Sequence, residues 1–409
     1  MKSSPWGARF GSIPMNSVCT PSARLSMTAG DWHRRLDPLL DQAVRRRAFS
    51  AASLLVADSD RIRFEGIWGR CRTGGPSVTA ATRFDLASLT KPLATAVGVM
   101  QLVSSGRLDL DEPLRHLLPR ASLTPDQRSI RLRQLLNHSS GLPAYRPYFK
   151  DLIGVPPKLR RPALLSWVLA EPLEQAPGRR ACYSDLGFML LGILLEDAFA
   201  LPLPNLFRED QAGAAHPPLE LGYVPLRAVA PATLPARPEP SGAAEFAATE
   251  QCPWRNRLLV GEVDDENAYC LDGVAGHAGL FGTARSVHQR LRLLTATFRG
   301  EASAAAALDL DPDTVRRFWS RSDSGAPAGS TWLLGFDTPS PQGSSAGRWF
   351  SPHSIGHLGF TGTSFWVDLD RDITVVLLTN RVHPTRANDQ LKPFRPLLHD
   401  TVMGCLHAQ

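Results

Sequence analysis

Apolar positions along the chain repeat with two different periods, and the change of period marks out its elements. Trp32, Leu36, Leu39, Leu40 and Val44 fall on one stripe at helical spacing, which predicts a helix over residues 31–47. Two short apolar runs follow at 52–56 and 62–68, separated by Asp58-Ser-Asp60, and predict a β-hairpin. From Ser88 to Gly106 the chain is apolar nearly all round, as expected of a helix buried at the centre of the molecule, with Gly106 placed as a C′ residue. Helical patterns recur at 130–136, 162–169, 183–199, 284–298 and 314–319. Strand runs at 355–360, 364–369 and 373–379 come next, with Asp370-Arg-Asp372 as a turn, and a terminal helix is predicted over 391–406.

Strands near both ends of the chain and helices between them predict an α+β fold. Its antiparallel sheet is built from the two termini, and the large helical middle is an insertion. The expected organisation is one catalytic domain over 31–409. Its sheet part covers 31–88 and 330–409, and its mostly helical part covers 89–329. Residues 201–257 are Pro- and Ala-rich with weak periodicity and read as a long ordered loop or lid that shapes the pocket. Residues 1–30, rich in small residues, read as disordered.

Composition narrows the function classes. The chain has 409 residues, 43% hydrophobic and 21% charged, enough for a sizeable core. Its net charge is +6, but the arginines are scattered, so no nucleic-acid partner is expected. The six cysteines form no Cys-x-x-Cys pair, which argues for reduced thiols. No stretch is apolar enough for a signal-peptide core or a membrane span. The expectation is a cytoplasmic protein, or a periplasmic one if the true start lies elsewhere. No cofactor is expected, and the oligomeric state is open.

Three short motifs carry candidate chemistry. Ser88-Leu-Thr-Lys91 puts a hydroxyl and an ammonium on one face if a helix starts near Ser88, and an adjacent base is what a serine nucleophile needs. Pro92 requires the first turn of that helix to lie here, so Ser88 would sit at the positive end of its dipole. A capped helix start with a surface lysine explains the same residues equally well. The charge type tilts the balance, since only five of the 45 cationic residues are lysine, and lysine, unlike arginine, can lose its proton when buried. Tyr183-Ser-Asp185 opens a buried helix, and a phenol beside a cation can move protons. His357-Leu-Gly359-Phe360 lies on a strand where Gly359 permits close approach of a backbone and an edge offers free N–H groups. Read singly, the second and third motifs are better explained by a packed aromatic and by a glycine bulge with a surface histidine.

The ordered triplet resembles the serine β-lactamase and penicillin-binding protein superfamily, specifically its class C β-lactamase-like branch. Phe84-Asp-Leu-Ala-Ser88, Leu135-Leu-Asn-His-Ser-Ser-Gly-Leu-Pro143, Tyr183-Ser-Asp-Leu-Gly187 and Gly276-His-Ala-Gly-Leu-Phe-Gly-Thr283 carry the resemblance. It implies Ser88 as acylated nucleophile, Lys91 as its activator and Tyr183 as base, alone or with Lys91. Asp185, His357, Gly359 and Phe360 would contact substrate, and the Ser88 and Phe360 N–H groups would form the oxyanion hole. Asp185 stands where relatives carry Asn, and Leu358 where they carry Thr. Both departures favour an esterase or a D-amino-acid peptidase or amidase over a penicillin hydrolase. The implied partner is a small ester, amide or cell-wall-derived substrate. A non-catalytic β-lactam or muropeptide sensor on the same scaffold is the alternative. The acidic run Val260-Gly-Glu-Val-Asp-Asp-Glu-Asn-Ala268 reads as solvated or capping carboxylates, and no metal is expected.

Overall fold

The computed structural model describes residues 28–58, 61–212, 220–226 and 246–407. Nearly all of the segment expected to be disordered, the last two residues of the predicted 58–60 turn and much of the expected lid lie outside the described residues. The first helix covers Ala29–Arg45, two residues earlier than its apolar stripe suggests. The reason is local: Thr28 and Asp31 form a reciprocal capping box, which stops the chain before the first apolar position.

Among the described residues ten strands occur in chain order: β1 (Ala51–Ala57), β2 (Ile62–Gly69), β3 (Phe84–Asp85), β4 (Gly222–Tyr223), β5 (Gln251–Cys252), β6 (Arg257–Leu258), β7 (Leu280–Gly282), β8 (Ile355–Leu358), β9 (Ser364–Asp368) and β10 (Ile373–Thr379). The main sheet has the order β2-β1-β10-β9-β8, with β1 paired to β10 so that Leu55 faces Val376. All of its ladders are antiparallel, and the two ends of the chain meet at its centre. Every residue of β1 and β10 is buried, because both faces of the sheet are covered. One face packs against Ala29–Arg45 and the terminal helix Leu391–His407, through Trp32, Leu36, Trp366 and Leu398. The other face packs against the helix Ala284–Phe298 and joins the larger core of the helical middle. The predicted α+β arrangement is the one observed.

The Ser88 segment departs from the single helix expected. Ala87–Leu89 is a 3₁₀ turn, Lys91–Thr95 a π turn, and the α-helix begins only at Ala96, running to Ser104. Pro92 causes this. It has no N–H to donate, and its ring crowds the carbonyl four residues back. The chain widens by one residue instead, so that the Ala96 amide donates to the Lys91 carbonyl. The described parts of the lid-like 201–257 segment hold a helix over Leu203–Ala212 and strands β4 and β5, with β6 at its end.

Two glycines seat the helix Asp185–Phe199 against the loop before β7. A Cβ on Gly276 would lie 2.2 Å from the Phe188 carbonyl oxygen and 2.8 Å from the Gly192 Cα. Gly276→Ala is therefore expected to cost about 1–3 kcal/mol of unfolding free energy, measured by urea titration.

Candidate active site

Ser88 is positioned by clamps from three directions. Ala87 holds a left-handed φ of 47°, stabilised where its amide donates to Asp85 Oδ1 at 2.8 Å. Thr361 and Thr363, in the turn between β8 and β9, donate to the carbonyls of Asp85 and Leu86 at 2.7 and 3.0 Å. From β7, the Leu280 carbonyl accepts from the Leu86 amide at 2.9 Å. The Ser88 turn is thus gripped between the main sheet and the helical middle.

Lys91 is fully buried and points its ammonium at this turn. Its Nζ donates to Ser88 Oγ at 2.9 Å and to the His277 carbonyl at 3.2 Å, and forms an ion pair with Asp185 Oδ1 at 2.7 Å. Burial alone would favour loss of the proton. The charge of Asp185 and the neighbouring Tyr183 oxygen outweigh it, so the lysine pKa lies above its ordinary value. An ammonium only donates, so Ser88 Oγ accepts and its own hydrogen is left to point elsewhere. Tyr183 neighbours both Ser88 and Lys91, with the Lys91 Nζ 4.9 Å from its ring centre. Burial raises the Tyr183 pKa above the ordinary phenol value, and Lys91 only partly opposes this, so Tyr183 rests as a neutral phenol.

Behind Tyr183 lies an aromatic box that the motifs did not reveal. The His138 ring sits 4.6 Å from Tyr183 and 4.5 Å from Trp332, and the His357 ring sits 6.1 and 5.5 Å from the same two. His138 Nδ1 accepts from the Ser184 amide at 3.1 Å. Burial, then the Lys91 charge, keeps both imidazoles neutral. His138 is held well below the ordinary histidine range, and His357 titrates at about 3. His138 occurs within a quoted motif, but nothing in the pattern places it beside Tyr183. Trp332 carries no sequence signal.

Ser88, Tyr183, Asp185 and Phe360 share one cleft of about 370 Å³. Tyr145, Asp264, Asp265, Glu266, His277 and Arg386 also line it. The other two expected contact residues differ from their reading. His357 is 1% exposed and is not part of the cleft lining, so it is neither a surface histidine nor a cation facing substrate. The Gly359 amide donates to the Thr363 carbonyl, and a Cβ there would meet the Leu86 carbonyl at 2.6 Å. The backbone that Gly359 admits is the Ser88 turn itself. The acidic run is not solvated as expected either. Asp264 is 3% exposed, while Asp265 does cap the helix Glu266–Cys270, accepting from the Ala268 amide at 2.7 Å. No described residue of 201–257 lines the cleft. That segment acts indirectly, since Glu250 holds Arg386 in a two-point pair at 2.6 and 2.7 Å. Among the described residues no cluster of three or more His, Cys, Asp or Glu could hold a metal ion.

A model of the Beta-lactamase family matches residues 36–399. The chain belongs to that family. A protein of Escherichia coli (strain K12), provisionally named a D-alanyl-D-alanine carboxypeptidase, is 29% identical over 367 residues, spanning 84% of this chain and 81% of its own length. Two solved structures share the fold. EstCE1, described as a hydrolase with promiscuous acyltransferase activity, has TM-score 0.62 and 21% identity, covering 90% of this chain and 97% of its own. The octameric penicillin-binding protein homologue from Pyrococcus abyssi has TM-score 0.64 and 16% identity, covering 89% and 77%. The β-lactamase/transpeptidase-like fold is thus established, and the family is of serine-hydrolase type with penicillin-binding-protein-like members.

Two outcomes follow. Asp185→Ala strands the Lys91 charge in the core and is expected to cost about 3–5 kcal/mol by chemical denaturation, most of it recovered in Asp185→Ala/Lys91→Met. His357 has a folded pKa of about 3, below the unfolded value, so its contribution to stability is present above about pH 6.5 and is lost as pH falls toward 3. Urea midpoints are expected to fall through that window, and His357→Gln to flatten the slope.

Proposed function

We propose that the protein is a serine hydrolase that cleaves an ester or amide through an acyl-enzyme on Ser88. The observation that carries this reading is the buried Lys91 ammonium donating to Ser88 Oγ, with the Tyr183 phenol beside both in the same cleft. In this reading Ser88 Oγ attacks the substrate carbonyl carbon. Its proton passes to the Tyr183 oxygen as the phenol proton passes to the leaving oxygen or nitrogen, so Tyr183 ends as it began. The C–X bond breaks, the serine ester remains, and water reverses the sequence to release the acid. The backbone N–H groups of Ser88 and Phe360 are the proposed donors to the tetrahedral oxyanion.

A neutral phenol cannot act as a simple base, so the role of Tyr183 is relay rather than proton acceptor. Lys91 and Asp185 set its electrostatics and orient Ser88, rather than taking the proton. The relative's name points to D-alanyl-D-alanine peptides of cell-wall type, and EstCE1 is described as a hydrolase with acyltransferase activity; peptides and esters both carry an acyl group that this relay can transfer.

Intact-mass measurement after treatment with a fluorophosphonate is expected to give one adduct, absent from Ser88→Ala. Turnover of p-nitrophenyl esters is expected to drop at least about 100-fold in Tyr183→Phe. An adduct that persists in Ser88→Ala, or a fully active Tyr183→Phe, overturns the reading. Single-turnover trapping without product release would instead identify a sensor. A phenolate base would make the rate climb about tenfold per pH unit toward pH 10, whereas the relay leaves it flat there.

A further inference from the structure

The cleft beside Ser88 carries an uneven charge. Four carboxyl groups line it (Asp185, Asp264, Asp265 and Glu266), against one guanidinium, Arg386. Most of these charges are already matched. Asp185 pairs with Lys91, and Asp265 with His277 Nε2 at 3.0 Å. Arg386 pairs with Glu250 and, at 2.7 Å, with Glu266. Asp264 is the remainder. Its Oδ2 lies 3.9 Å from Arg386, beyond hydrogen-bonding distance, and its Oδ1 is buried without a hydrogen-bond partner. A buried carboxyl oxygen without a partner beside a cleft is costly unless a donor reaches it.

We propose that Asp264, with Glu266 beside it, is the recognition site for a protonated amino group, so that the acyl substrate carries a free ammonium. This rests on the reading of Ser88 as the acylated residue. A compact ammonium supplies three donors, which suits an unpaired carboxyl group next to an acid that is only partly used by Arg386. A substrate carboxylate meets a wall whose one guanidinium is already outweighed by two carboxylates. Arg386 turns its Nε and Nη2 to Glu250 and Glu266, whose two charges exceed its own, and His277 is held by Asp265. The cleft therefore favours aminoacyl esters and amides over peptides recognised by a terminal carboxylate.

The state of Asp264 in the empty cleft agrees with this. Burial, then the charges of Asp85 and Glu250, raise its pKa to about 8, with Arg386 and Arg255 opposing. Near neutral pH it rests protonated, and the arrival of an ammonium favours the carboxylate. Binding then releases a proton from Asp264.

The test uses the full-length Ser88→Ala protein and does not need turnover. Calorimetry compares D-alaninamide with N-acetyl-D-alaninamide at about pH 6.5, below the ordinary α-amino range. The free amine is expected to bind at least about tenfold more tightly, and to release a proton, seen as a heat that changes with the buffer's ionisation enthalpy. Asp264→Asn is expected to abolish both the preference and the proton release. Glu266→Gln, expected to reduce the preference, serves if Asp264→Asn does not fold. Equal or undetectable binding of the two amides overturns the proposal, as does a preference that survives both substitutions. Fluorophosphonate labelling of the wild type is scored separately. A missing Ser88 adduct sinks the hydrolase reading, while the amide comparison still decides the subsite.

Discussion

A single ammonium buried without water is the constraint on which the rest of the site depends. Lys91 is fully buried, and such a charge survives only if its hydrogens find acceptors and an anion stands close. The fold supplies Asp185 from the start of one helix, the His277 carbonyl from the loop before β7, and Ser88 from the turn in front. Satisfying the lysine is therefore the same act as assembling the site. The ammonium also dictates what can stand nearby. His138 and His357 are kept neutral by burial reinforced by that charge, and they serve as ring faces around Tyr183 rather than as cations.

Holding these groups together needs close backbone contacts that only small residues allow. Gly276 and Gly192 bring the His277 carbonyl up to Lys91, and Gly359 lets the turn between β8 and β9 close on the Ser88 turn. Asp85 joins the two halves. One of its carboxylate oxygens holds the amide of Ala87, beside Ser88, and the other accepts from the Asp264 amide at 2.6 Å. The acidic run is thereby tied to the Ser88 turn, which is why a wall rich in carboxyls shares its cleft.

What the sequence determined by itself was the set of elements and the identity of the central pair. The 3.6-residue stripes of Ala29–Arg45 and Ala284–Phe298 and the continuous apolar runs of β1 and β10 depend on which residues face a core, and that is a local property of pattern. Strands at both ends of the chain already required the termini to meet in one sheet. The spacing of Ser88 and Lys91 put the two side chains within reach of each other, even though the turn between them is not the regular helix that spacing suggested.

Only the tertiary structure decided which charges face each other. His138, Trp332, Asp264 and Arg386 come from four distant segments, and no periodicity relates them. Protonation states could not be read from composition, since burial and neighbours set them: His357 is neutral because it is packed behind Tyr183, and Lys91 is charged because Asp185 is 2.7 Å away. The same reason governs Gly359, whose role is set by the Leu86 carbonyl opposite it. Side-chain pattern is written along the chain, whereas electrostatics and close approach depend on distances between residues far apart in sequence, and those exist only once the chain has folded.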